Sequence, residues 1–308
     1  MKPKSRKPRD NSTAGVRAHY DAIADEYRNQ YDSRRLKNPV APYPANQFRL
    51  KLLLDSFKRN KIKSVCEVGF GEGTPLIELS RLGMDVYGFD LAPKMVNRGK
   101  ERFVAQGLDS SRVFLGDIQD KSSYAKSLSK LSKFDGIVAM GVMPHVVDDV
   151  RALKNMKDMV RPGGRVFIEF RNSLFSLFTQ NRYTADFILN DLLKDVSPRM
   201  KTIIEKDLGK RMRMDQPIVR SRVSGTNMPG YDAILSKFHN PFEVTELFKK
   251  VGFRNIKLLW YHYHAAMPYL QADDPKLFFE ESKKLEFEKS GWKGYFLCSA
   301  FVVEAEKP

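Results

Sequence analysis

The run Glu67-Val68-Gly69-Phe70-Gly71-Glu72-Gly73 carries three glycines at Gly-x-Gly-x-Gly spacing, and a second apolar run ends in Asp90. A strand, a glycine turn and a helix in this order place backbone N–H groups beside one ligand, and a carboxylate at the next strand's tip can bind ribose hydroxyls. The third glycine of a dinucleotide fingerprint would fall at position 74, which is Thr74. The spacing therefore predicts a nucleoside-cofactor site and disfavours a pyrophosphate cradle.

Apolar runs with strand character alternate with helical patterns along most of the chain. Strands that alternate with helices imply a parallel sheet covered on both faces. We therefore expect an α/β fold with strands near 62–68, 84–90, 112–116, 134–140 and 165–171, and two later strands near 254–264 and 294–305. In such a sheet the glycine turn lies at the carboxyl edge of the strands, where open α/β sheets bind ligands.

Five motifs, in order and in spacing, resemble the class I S-adenosylmethionine (SAM) dependent methyltransferases of the small-molecule and glycan type. They are residues 67–73, the run Phe89-Asp90-Leu91-Ala92-Pro93-Lys94-Met95, and the segments 115–118, 134–140 and 161–169. The resemblance spans residues 15–170 and the C-terminal strands. It implies a doubly wound, Rossmann-like seven-stranded sheet with its last strand antiparallel, an inserted cap segment, and S-adenosyl-L-methionine as the cofactor.

The resemblance also assigns cofactor-binding residues. Glu67 and the backbone of Gly69, Gly71 and Gly73 would contact the methionine portion, and Asp90 would bind the ribose hydroxyls. Asp117 would accept from the adenine amino group, with Ile118 and Leu91 packing on the base, and Met140 at the end of the fourth strand completes the set. The spacing of His262 and His264 is compatible with a metal, but no third ligand is evident nearby, so we expect no metal site.

Methyl transfer from a sulfonium is an in-line displacement, so the protein mainly has to hold donor and acceptor close, aligned and dry. Just past the fourth strand, where nucleobase amino-methyltransferases carry an Asn/Asp-Pro-Pro-Tyr/Phe signature, the chain has no such motif. His145 instead matches a His that many small-molecule methyltransferases have at this place. With an ordinary pKa of about 6.5 it could remove a proton from the acceptor. A structural His that bonds the loop is the alternative.

The motifs divide the chain into four parts. We expect a disordered basic tail at 1–13, a helical lid at 14–60, a SAM-binding core at 61–171 and 241–308, and an acceptor-binding cap at 172–240. Tyrosines recur at helical spacing in the lid, where such a stripe either packs in the core or closes over the ligands. The predicted acceptor-binding residues are Tyr20 and Tyr27 in the lid, Arg171, Asn172, Arg182 and Tyr183 at and beyond the fifth strand, and His262 and His264 in a late strand.

Composition adds broader expectations. The two cysteines, Cys66 and Cys298, sit in apolar runs without metal spacing, which is typical of reduced thiols in a cytoplasmic protein. The sequence has no apolar run of the roughly 20 residues needed to span a bilayer. The net charge of +16 predicts attraction to phosphates or anionic surfaces, and the first ten residues contribute five basic groups and one acidic group.

Three functions remain in view. The favoured one is transfer of a methyl group to a small-molecule, nucleotide-sugar or glycan acceptor, with oxygen preferred over nitrogen. An RNA methyltransferase would also explain the charge, but the chain shows no RNA-binding module, so nucleic acid is a disfavoured partner. A SAM-binding partner protein without catalysis is the third.

Overall fold

The computed structural model describes residues 11–30, 45–129, 131, 133–214, 220–287 and 291–308, without the side chains of residues 26–30. Most of the predicted basic tail therefore lies outside the described residues. Strands occupy β1 (Ser64–Val68), β2 (Asp85–Asp90), β3 (Val113–Leu115), β4 (Phe134–Ala139), β5 (Val160–Arg171), β6 (Arg254–Tyr263) and β7 (Cys298–Glu306).

Helices lie before, between and after these strands. They are α1 (Thr13–Gln30), α2 (Ala45–Asn60), α3 (Thr74–Arg81), α4 (Pro93–Ala105), α5 (Ser122–Leu128), α6 (Asp149–Met159), α7 (Ser176–Thr179), α8 (Arg182–Phe187), α9 (Pro198–Arg211), α10 (Pro241–Val251), α11 (Pro275–Leu285) and α12 (Gly294–Leu297). No helix among the described residues has the length and apolar character needed to cross a membrane.

The seven strands form one sheet in the order β3-β2-β1-β4-β5-β7-β6. The first five strands are parallel, while β7 runs antiparallel to both of its neighbours, β5 and β6. The order reverses between β1 and β4, which creates the switch point where open α/β sheets bind ligands. The predicted doubly wound fold with an antiparallel last strand is confirmed.

Side chains alternate between two apolar layers, one on each face of the sheet. Val65 of β1 packs with Phe57 of α2 and Leu76 of α3 on one face, whereas Cys66 packs with Leu153 of α6 and Phe248 of α10 on the other. This alternation is the expected consequence of the period of two in a strand. Since α2 belongs to the core layer, α1 is the part of the predicted lid that lies over the strand ends.

Two strand predictions needed correction. The fifth strand begins at Val160 rather than at 165, with an irregularity in its pairing to β4 between Phe134 and Gly136. The last strand begins at Cys298 rather than at 294, because residues 294–297 form the helical turn α12. Gly294 opens that turn against Trp260, where a Cβ would lie 2.3 Å from the indole Cγ.

Candidate active site

The glycine turn lies at the carboxyl end of β1. Gly69, Gly71 and Gly73 all have positive φ, between 59° and 86°, a region that residues with a side chain rarely adopt. A Cβ at Gly69 would also lie 2.5 Å from Val142 Cγ2. Only glycine therefore lets the backbone turn this tightly beneath the loop after β4.

Asp90, at the end of β2, holds the turn in place. Its two carboxylate oxygens accept from Gly71 N and Ala92 N, each at 2.9 Å. Burial raises the pKa of Asp90 to about 6, although the backbone donors lower it. The group is therefore ionised at neutral pH, and each oxygen keeps a lone pair for a further donor.

A cavity of about 720 Å³, open solvent at its mouth included, lies over this turn. Its wall contains Gly69, Gly71, Asp90 and Leu91 on one side and Asp117, Ile118, Met140 and His145 on the other, while Thr13, Val16, Arg17 and Tyr20 of α1 cover it. Eight of the predicted cofactor and catalytic residues thus surround one space. Gly73 stands outside this wall, at the start of α3.

A second cavity of about 400 Å³ begins on the other side of Met140, which lines both. It contains Glu67 together with Asn46 and Arg49 of α2. Glu67 is buried, and its Oε2 has no hydrogen-bond partner among the described residues. Burial raises the pKa of Glu67 to about 8, while the charge of Arg49 opposes that shift. An unpartnered buried carboxyl indicates a ligand that supplies a donor.

Arg49 was not among the site residues predicted from the sequence. Its Nη1 lies 2.7 Å from Glu169 Oε2, and both side chains are nearly buried. The signal was present, because Arg49 lies one helical turn before Leu53, a core residue of the same helix. A cation on the apolar stripe of a predicted helix marks a partner or a ligand inside the fold.

His145 contacts groups from two distant segments. Its Nδ1 lies 2.6 Å from the carbonyl oxygen of Leu235, and its Nε2 lies 3.0 Å from the Tyr20 hydroxyl. Since a carbonyl can only accept, Nδ1 carries the proton, and Nε2 accepts from Tyr20. Burial lowers the pKa of His145 to about 4, so the ring is neutral at physiological pH.

Other predicted acceptor residues lie outside both cavities. Asn172 is fully buried, and its amide donates to the carbonyls of Tyr295 and Cys298, both at 2.8 Å. Arg182 stacks over the ring of Tyr183 at 4.3 Å and lies 3.7 Å from Asp232. These three side chains therefore join segments of the protein to one another. Tyr27 belongs to α1, at a position where the structure describes the backbone only.

His262 and His264 form a half-buried pair beside β7. Their ring centroids are 4.7 Å apart, and His262 Nδ1 lies 2.7 Å from Ser299 Oγ. Burial lowers the pKa of both rings, to about 3 and about 4 respectively. Neither ring lines the two cavities. Within the described residues, no group of three His, Cys, Asp or Glu side chains is arranged to hold a metal.

Arg171 takes an intermediate position. It does not line the large cavity. Its charge nevertheless helps to lower the pKa of His145, and Tyr20 in turn raises the pKa of Arg171. Its guanidinium lies over the ring of Tyr231, 4.5 Å from the centroid. Of the predicted residues at and beyond the end of β5, Arg171 is the one near His145.

Curated methyltransferases resemble parts of this chain. The ubiquinone biosynthesis O-methyltransferase of Coxiella burnetii (strain RSA 493 / Nine Mile phase I) is 28% identical over 149 residues, 48% of this chain and 60% of that protein. The tRNA U34 carboxymethyltransferase of Campylobacter hominis is 33% identical over 119 residues, 38% of this chain and 39% of that protein. The match thus spans less than two thirds of the length of these relatives.

Solved structures resemble the fold over nearly the whole chain. Magnesium protoporphyrin IX methyltransferase from Synechocystis PCC 6803 has a TM-score of 0.52 at 13% identity and covers 96% of this chain and 100% of its own. A SAM-dependent methyltransferase from Clostridium acetobutylicum ATCC 824 has a TM-score of 0.51 at 11% identity and covers 92% and 98%. At these identities the likeness shows the fold alone. The family described as "Methyltransferase domain" matches residues 40–258, more than half of the chain. The chain therefore belongs to this methyltransferase family, which confirms the class I SAM-dependent resemblance of its motifs.

Proposed function

We propose that the protein transfers a methyl group from SAM to an oxygen atom of a small-molecule acceptor, with Tyr20 and His145 receiving the acceptor's proton. The observation that carries the proposal is the hydrogen bond from the Tyr20 hydroxyl to His145 Nε2, inside the cavity that the glycine turn and Asp90 also line. A neutral imidazole beside a cofactor cavity has the proton acceptor that hydroxyl methylation requires.

The residues around the two cavities fit SAM. Asp90 has free lone pairs for ribose hydroxyls, and Asp117 and Ile118 line the same space for the base. The unpartnered Oε2 of Glu67 suits an ammonium group, and Arg49 in the same cavity suits a carboxylate. When bound, SAM supplies an electrophilic methyl group on its sulfonium. Because Met140 lines both cavities, one extended ligand can occupy the two together.

The proton path follows from the tautomer of His145. The Leu235 carbonyl keeps the proton on Nδ1, so Nε2 is the basic atom and points to Tyr20. In the proposed step the acceptor hydroxyl donates to the Tyr20 oxygen, while the phenol proton passes to Nε2. His145 becomes an imidazolium whose Nδ1–H remains bonded to the Leu235 carbonyl, and the acceptor oxygen gains the electron pair that attacks the methyl group.

Oxygen is the favoured atom for two reasons. A hydroxyl needs a base near neutral pH more than an unprotonated amine does. His145 is unprotonated at that pH and can accept a proton at the cavity, although burial makes it a weaker base than a free imidazole. The curated relatives named above include O-methyltransferases of ubiquinone biosynthesis. Their acceptor is a property of those proteins, and the acceptor of this chain is to be found by screening.

The test is an acceptor screen followed by two variants. Phenols, sugars and nucleotide-sugars are incubated with SAM, and release of S-adenosylhomocysteine is measured. His145→Asn and Tyr20→Phe are each expected to lower kcat about 10²–10⁴-fold, the usual contribution of a positioned base. SAM affinity by calorimetry should stay within about twofold, and the double variant should lose little more than either single one.

Two outcomes would contradict the proposed proton path. Full activity of Tyr20→Phe would show that the phenol takes no part in it. An equal loss of SAM affinity and kcat in His145→Asn would show that the ring only shapes the cavity.

RNA methylation is the second candidate. The net charge of +16 and the match to a relative named as a tRNA carboxymethyltransferase both favour it. RNA binding would make affinity fall steeply with salt, because phosphate contacts release counterions. A small-molecule enzyme would not show that slope.

A further inference from the structure

Arg171, the last residue of β5, has no carboxylate partner among the described residues. Its Nη1 donates to Ser236 Oγ at 2.7 Å, and its guanidinium lies over Tyr231 and Phe238, at 4.5 and 6.0 Å from the ring centroids. Other arginines shielded to a similar degree are paired: Arg49 with Glu169 at 2.7 Å and Arg165 with Glu306 at 3.0 Å. A shielded guanidinium without a counter-charge is costly unless a ligand supplies one.

A second arginine lies close to Arg171. Arg220 lies over the same Tyr231 ring, 4.6 Å from its centroid. Asp232 is shared between Arg220 at 3.5 Å and Arg182 at 3.7 Å. Two guanidiniums therefore share the carboxylate of Asp232, and one of them, that of Arg220, shares the Tyr231 ring with Arg171. Burial lowers the pKa of Arg171, the more distant charges of Glu169 and the tyrosines oppose that shift, and the charge of Arg220 adds to it.

The cluster adjoins the proposed base. The Tyr231 ring meets the His145 ring edge-on, with centroids 5.6 Å apart. The Tyr231 hydroxyl is buried and has no hydrogen-bond partner within the part of the chain that the structure describes. A ligand that reached both Arg171 and the Tyr231 hydroxyl would thus find one positive charge and one unused hydroxyl beside His145.

We propose that Arg171, together with the Tyr231 hydroxyl, binds an oxyanion carried by the methyl acceptor, either a carboxylate or a phosphate. This inference rests on the proposed function, because it assigns the acceptor's chemical class. The planar guanidinium can form two parallel hydrogen bonds to such an anion, which fixes the orientation of the acceptor as well as its affinity. The bound anion would also offset the repulsion among the clustered arginines.

The experiment uses the full chain, with and without S-adenosylhomocysteine, at constant ionic strength. Benzoate, phenyl phosphate and the neutral benzyl alcohol are titrated by calorimetry. At least one anion is expected to bind the wild type and to bind Arg171→Met about tenfold more weakly or worse, which is the scale of one charge-assisted hydrogen bond. Tighter binding of benzoate assigns a carboxylate acceptor, and tighter binding of phenyl phosphate assigns a phosphate.

Matched variants separate this site from general attraction to a basic protein. Arg211→Met removes a cation from the exposed face of α9 and should leave anion binding unchanged. Arg171→Lys should recover part of the affinity, and Arg171→Met should keep the wild-type melting temperature because it removes an unpaired charge. Equal anion affinities of the wild type and Arg171→Met, equal losses in Arg171→Met and Arg211→Met, or equal binding of benzyl alcohol and the anions would each overturn the inference.

The titrations with S-adenosylhomocysteine distinguish the acceptor inference from the proposed function. If S-adenosylhomocysteine binds but no anion depends on Arg171, the acceptor inference is wrong and the proposed methyl transfer stands. If S-adenosylhomocysteine does not bind, the proposed function is wrong, while the titrations without it still decide whether Arg171 binds an oxyanion.

Discussion

The two sides of the large cavity are built in different ways. On the wall that holds the glycine turn, the predicted cofactor residues fall within 69–91, and Asp90 bonds Gly71 only 19 positions away. On the acceptor side, Tyr20 meets His145 across 125 positions, and His19 meets the Pro229 carbonyl across 210. The first side is mostly backbone at strand ends, and the second is mostly side chains from separate segments. The difference teaches that the acceptor can change through a few substitutions while the cofactor side stays intact.

The largest expected effect is on the support of the acceptor side. Asn172→Ala leaves several buried carbonyls without their donor and should lower the free energy of unfolding by about 3 kcal/mol. Chemical denaturation measures it, with Asn227→Ala as the matched control because that amide is exposed. A stable Asn172→Ala protein that had lost only acceptor affinity would instead restore the role in substrate binding that the sequence predicted.

A substitution at Asp90 is expected to weaken the cofactor side and leave the acceptor side intact. Asp90→Ala should raise the dissociation constant for SAM by about ten- to a hundredfold, equivalent to about 1.5–3 kcal/mol for hydrogen bonds to a charged group. Calorimetry measures the affinity, and Asp85→Ala at the other end of β2 is the control. Unchanged SAM affinity in Asp90→Ala would show that Asp90 does not bind the ribose of SAM.

A smaller effect depends on pH and concerns the second cavity. Glu67 has a pKa of about 8 in the fold against 4.5 when unfolded. The native state therefore holds the extra proton between these values, and stability is lost as the pH rises through that window. Glu67→Gln imitates the protonated form, so the SAM-free variant should be more stable than the wild type at pH 8, by at least about 1 kcal/mol, the cost of one unpartnered buried group.

That stability difference should shrink toward zero as the pH falls below 4.5, because wild-type Glu67 is then mostly protonated in both states. The lowered pKa values of the buried histidines act equally on both proteins and cancel in the comparison. Thermal unfolding across this pH range measures the difference. A gap that stays constant with pH would mean that Glu67 has an ordinary pKa. SAM affinity should fall in Glu67→Gln even though its stability rises.

The smallest expected effect tests the RNA alternative. Removing residues 1–10 deletes five basic groups and one acidic group. A small-molecule methyltransferase should keep its kcat and KM within about twofold, since it makes no phosphate contacts through that segment. Activity is measured at two salt concentrations, before and after the deletion. A loss of activity that salt reproduces in the full chain would favour RNA.

The two sides also differ in how far the sequence predicts them. Asp90 and Asp117 could be placed because a parallel sheet brings strand ends to one edge whatever the side chains. Tyr20 and His145 were each proposed separately, but their hydrogen bond depends on where α1 packs. Leu235 and Tyr231 carry no local signal, since one contributes only a carbonyl and the other lies in a loop. Asn172 lies next to Arg171 in sequence, and the burial that separates their roles is a property of packing.

The position of β7 has a consequence for how the molecule folds. This strand follows the other six along the chain, yet it lies between β5 and β6 and joins them. During synthesis, β6 therefore emerges with no neighbour to pair with, and the outer edge of β5 stays open until β7 appears. Unpaired strand edges are the groups through which nascent chains associate wrongly. The final closure of the sheet is thus a late, long-range event, and substitutions in β7 should reduce the yield of folded protein before they affect its activity.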